Sequence, residues 1–85
     1  MTHMRYKFRN GVVISVVNLR ADNRKDDFPF EAWVISGGEK TIENANMHLR
    51  DALLPTQPEK YTEDEMGRSL HLWCYHMQLV SVEVV

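Results

Sequence analysis

The chain has 85 residues, of which 44% are hydrophobic and 26% charged, with 4 glycines, 3 prolines and a formal charge of −2. One core fills such a length, so a single small domain over residues 1–85 is expected, with the composition of a globular chain and not of a disordered or collagenous one. The charge lacks the basic excess with which dedicated nucleic-acid domains displace counterions, and no apolar run approaches the roughly 20 residues that span a bilayer.

A single cysteine, Cys74, allows no internal disulfide, so packing or self-association must hold the fold. With no apolar leader, this fits a reducing cytoplasm. Residues 1–3 read as a vector-derived or disordered extension before Met4, and His3 is assigned no role.

From Met4 to Leu19 the pattern is that of a β-hairpin. Met4 to Arg9 alternates apolar and basic residues, Asn10-Gly11 has the preferred composition of a two-residue type I′ turn, and Val12 to Leu19 is rich in β-branched residues. A two-residue turn sets Phe8 opposite Val13 and Lys7 opposite Ile14. One face then carries Met4, Tyr6, Phe8, Val13, Val17 and Leu19 as the core, and the other carries Arg5, Lys7 and Arg9 beside Val12, Ile14 and Val16. Residues 20–27 form a charged loop, and Phe28 to Ser36 reads as a third strand closed by Gly37-Gly38.

Thr41 can cap a helix from about Ile42 to Leu54, which Pro55 stops. After a connection stiffened by Pro55 and Pro58, Thr62 and Glu65 have the spacing of a capping box. Met66, Leu70, Trp73 and Met77 then repeat at helical intervals, which predicts a second helix over about Glu63 to His76; a strand over the same residues is the competing reading. Leu79 to Val85 alternates as a final strand. The predicted order is β-β-β-α-α-β: an α+β fold with a four-stranded antiparallel sheet and two helices packed on one face.

No arrangement typical of catalysis stands out. His71 and Cys74 share a helical face and could give two metal ligands, but zinc needs three or four, and there is no second cysteine pair or HExxH. Pairing Cys74 with His48, or Ser69 with His71, lacks the third group and the electropositive setting that activate a nucleophile. Gly37-Gly38 matches no phosphate-cradling motif. The expectation is therefore no enzyme, no metal and no cofactor.

Arg5, Lys7 and Arg9 lie on one strand face and can be continued by Arg20, Arg24 and Lys25 as a basic stripe for an anionic partner. Tyr6 and Phe8 point to the opposite face, so bases could not stack on them while those cations follow a phosphate backbone. Tyr75, off the helix's apolar stripe, is a surface anchor. The valines are in surplus: helices on one sheet face can bury only one apolar set. A homodimer is expected through Val12, Ile14 and Val16 or through Val80, Val82 and Val84.

The functional expectation is a non-enzymatic protein-binding module, with a nucleic-acid accessory protein using the basic hairpin as the alternative and a metal-binding domain third. By analogy of size and composition alone, with no shared motif, the chain has the style of phage-encoded inhibitors of host defence, such as anti-CRISPR proteins.

Overall fold

A computed structural model describes residues 2–20, 27–37 and 54–85. Five strands and one helix follow in the order β1 (Thr2–Phe8), β2 (Val13–Asn18), β3 (Phe30–Ser36), β4 (Glu59–Tyr61), α1 (Glu63–Met77) and β5 (Leu79–Val84). All strand pairs are antiparallel, and the sheet order is β4-β3-β2-β1-β5.

This corrects the expected four-stranded sheet with two helices. The additional strand, β4, arises from the connection after Pro58: Tyr61 pairs with Phe30 and Glu59 with Ala32. Three residues are too few to show a period of two, so nothing in the sequence pattern marks it. The helix expected over 42–54 lies outside the described residues except for Leu54, and α1 is the single helix among those described.

The hairpin is correctly placed but differs in its turn. Gly11 N donates to Phe8 O at 3.0 Å and Phe8 N to Val12 O at 2.9 Å, which encloses three residues. Gly11 takes φ 93° whereas Asn10 stays out of the left-handed region, the pattern of a type I turn followed by a glycine bulge. Asn10 Oδ1 accepts from Val12 N at 3.0 Å and fixes the exit from the turn. The register is consequently one residue from the expected one: Lys7 pairs with Val13, Tyr6 with Ile14 and Met4 with Val16.

A one-residue slip moves a whole strand's side chains to the other face. Val12, Ile14 and Val16 therefore join Phe8 and Ala32 in the core beneath α1, where Tyr61, Met66, Trp73 and Met77 complete the cluster. Val13 and Val17, expected in the core, lie on the opposite face with Arg5 and Lys7. Thr2 and His3 are no loose extension, since they pair with Asn18 and Val17.

The helix forms where the sequence pattern puts it. Thr62 Oγ1 accepts from Glu65 N at 3.1 Å, Glu65 Oε1 accepts from Thr62 N at 3.0 Å, and Glu63, Asp64 and Glu65 complement the dipole in the first turn. Trp73 is completely buried and meets Tyr61 edge-on, with ring centroids 6.4 Å apart. Burying side chains of this size stabilises by about 1.5–3 kcal/mol each, so this pair anchors α1 to the sheet. Gln78, at φ 59°, turns the chain sharply from α1 into β5.

Candidate functional site

The core lies on one side of the sheet, between the strands and α1. The opposite side is covered by no helix or strand among the described residues, and its side chains follow from strand parity. Across the middle of this open face the register aligns Glu83, Arg5, Ser15 and Trp33, one from each of β5, β1, β2 and β3. The next row contains His3, Val17, Glu31 and Lys60.

These rows interlock. His3 Nε2 lies 3.1 Å from Ser15 Oγ, and the His3 ring is tilted against Trp33 with centroids 5.8 Å apart. Lys7 donates to Glu83 at 2.8 Å. That hydrogen bond and charge, with a smaller contribution from Arg5, hold the Glu83 carboxyl below its ordinary range. Arg5 Nε is shut off from solvent with no hydrogen-bond partner. The centre of the face is thus an aromatic pair, a buried hydroxyl and a guanidinium held between strands, flanked by a neutralised ion pair. Such a surface offers stacking and cationic attraction on a sheet support.

The residues expected to form one basic stripe are dispersed. Arg5 and Lys7 share the open face, but Arg9 sits in the hairpin turn and donates to Gln78 Oε1 at 3.0 Å. Arg20 lies beyond β2, where it bridges to Glu63 at 2.8 Å and stands over the Phe30 ring. Arg24 and Lys25 lie outside the described residues. Tyr75 is 75% exposed on the outward side of α1, edge-on to His76, and is remote from the open face by helical geometry.

Of the expected dimer contacts, Val12, Ile14 and Val16 are buried in the core and present no surface, whereas Val80, Val82 and Val84 are exposed on β5. Burial pushes the Cys74 thiol pKa up, the direction opposite to that which activates a nucleophile or ligand. His71 is exposed, and His48 lies outside the described residues. Among the described residues no three His, Cys, Asp or Glu side chains gather as a metal site. The close His3–Ser15 pair bridges β1 and β2 with Ser15 buried, and no carboxylate among the described residues is hydrogen-bonded to the imidazole to orient it.

His3 is the functional candidate that sequence reasoning missed, and Trp33 is one whose residue type suits an interface but whose place in a strand reads by default as core packing. Trp33 shares parity with Glu31 and opposes the core residues Phe30, Ala32 and Val34, so alternation along β3 carried the signal. His3 had none, because its place depends on how far β1 extends.

Comparison with protein-family models, with curated proteins and with solved structures finds no match. No helix among the described residues is long and apolar enough to cross a membrane.

Proposed function

We propose that this small α+β domain is a non-enzymatic protein-binding module that presents the sheet face opposite α1 to a protein partner and inhibits by occupying the partner's functional surface. The observation that carries this reading is the clustering of Trp33, His3 and Arg5 on a face that no described helix or strand covers. Aromatic residues and arginine supply most of the energy at protein interfaces, and strands hold them with little freedom left to lose on binding. With the basic residues dispersed, the partner surface this face fits is one that accepts a single guanidinium beside an aromatic pair.

The test is affinity capture from the native host with immobilised wild type, Arg5→Glu, Trp33→Ala and Tyr75→Ala, each checked for folding by circular dichroism. A protein captured stoichiometrically by wild type and Tyr75→Ala, and lost with the two open-face variants, supports the reading. Capture that ignores Arg5 and Trp33 overturns it.

A second reading rests on the same cluster: an indole and an imidazole beside a guanidinium can stack and neutralise a single-stranded nucleic acid. Tyr6 and Phe8 could not do this, because they face the core. Binding to an oligonucleotide that needs Trp33 and weakens steeply with salt would favour this second reading.

A further inference from the structure

We propose that β5 is the docking edge for a second copy of this chain, which joins it across a two-fold axis at Val82 to make one continuous antiparallel sheet. This goes beyond the reading of the open face and does not depend on it.

β5 is an outer strand. Val85 N donates to His3 O at 2.8 Å, and antiparallel bonding alternates along a strand. Ser81, Glu83 and Val85 therefore direct their main-chain groups at β1, while Val82 and Val84 direct theirs to the open edge. Few of the usual guards protect those groups: Leu79 to Val84 contains neither proline nor lysine, its one charge, Glu83, is already bound to Lys7, and the single irregularity, a register shift at Val80, lies at the start of the strand and leaves Ser81 to Val84 in regular pairing. Leu79, Val80, Val82 and Val84 are all exposed.

The adjoining corner of the core face is also bare. α1 begins beside β4 and ends beside Leu79, so it crosses the sheet obliquely and leaves Met4 and Tyr6 incompletely covered next to Val82 and Val84. A cleft of about 170 Å³ opens farther in, between Leu70 and strands β1 to β3, and no β5 residue lines it. One helical turn before Leu70, a Cβ added to Gly67 would meet nothing within 4 Å.

The edge is complementary to itself. A two-fold centred on Val82 sets that residue opposite its own copy and Ser81 opposite Glu83 of the partner subunit, and it brings Val80, where the register with β1 shifts, to Val84 of the partner subunit. The valines meet on the core side, and each carboxylate faces a hydroxyl. Centring on Glu83 instead would set two carboxylates face to face, which cross-strand pairing disfavours. One strand's main chain and a few partly exposed side chains amount to less than the roughly 800 Å² per partner of a standard interface, so dimerisation is expected in the micromolar range.

Sedimentation equilibrium of the full chain, from micromolar to submillimolar concentration, should show the mass rising from one chain toward two. Val82→Pro removes an N–H that β1 does not use; it should keep the wild-type circular dichroism and sediment as a monomer throughout. Val84→Lys should do the same by placing a cation in the joint, and it carries the test if the proline variant fails to fold. In a Cys74→Ser background, Val82→Cys should oxidise to a covalent dimer faster than Glu83→Cys. A wild type that stays monomeric at the highest concentration, a dimer unaffected by both Val82→Pro and Val84→Lys, or faster oxidation at residue 83 than at residue 82 would overturn the proposal.

Discussion

The two edges of the sheet meet solvent in opposite ways. β4 is three residues long, follows Pro58, exposes Glu59 and Lys60, and buries Tyr61 against Trp73. Beyond it the edge is still occupied, because Val34 N donates to Pro55 O at 2.8 Å. β5 is twice as long and carries exposed valines on a main chain with outward-facing groups. Shortness, charge and helix cover are the usual means by which a protein prevents edge-to-edge association. Here they are concentrated at one side, so the difference between the edges separates a structural margin from one available for contact.

The largest test of that contrast is truncation at matched positions. Tyr61→Ala is expected to lose about 3–5 kcal/mol in urea unfolding, by analogy with other buried aromatic truncations, because it empties the space beside Trp73. Val84→Ala on the opposite edge, 75% exposed, should stay within about 0.5 kcal/mol of wild type. Comparable losses would show that β5 is as integral to the monomer as β4.

A smaller effect is expected where α1 leaves the protected edge. Thr62→Ala removes the acceptor for Glu65 N and should lower stability by about 1 kcal/mol, with Thr62→Asn recovering most of it. A urea midpoint unchanged by the alanine variant would mean that β4, not the cap, fixes the start of the helix.

The smallest effect belongs to the Lys7–Glu83 pair on β5. Glu83 has its carboxyl pKa lowered in the folded state, chiefly by the Lys7 hydrogen bond and charge. The pair therefore contributes above the unfolded-state pKa, and the contribution disappears as pH falls through the depressed folded-state value. Glu83→Gln should unfold at a slightly lower urea concentration than wild type at neutral pH, and the two curves should converge in acid. Since both side chains are substantially solvated, the separation should also shrink with added salt. A gap that persists in acid would indicate a role other than charge.

How much of this was legible in the sequence depended on the length of each signal. The helix carries a capping box and four apolar residues at helical spacing, and α1 ends within one residue of the expected His76. The hairpin carried its strands and turn site equally clearly, but not its register. Asn-Gly serves both a two-residue turn and the second and third positions of a three-residue turn, and the choice between them decides which valines are core. That ambiguity transferred Val12, Ile14 and Val16 from the expected interface to the interior. β4 is too short to have a pattern and is held by what it pairs with. The open face was hidden for a related reason: His3, Arg5, Ser15 and Trp33 come from three strands, and only the register brings them together.

The open face and the unguarded edge belong to the same sheet, and this has a consequence for valency. If two copies join at β5, Trp33 of each lies on one side of a shared surface, separated by seven strand-to-strand steps of about 4.8 Å, or roughly 34 Å before twist. A partner presenting two sites at that separation would engage both at once, and the second contact would form at the high effective concentration that a rigid connection provides. Such a partner would be held far more tightly than one presenting a single site, even though each contact were individually weak.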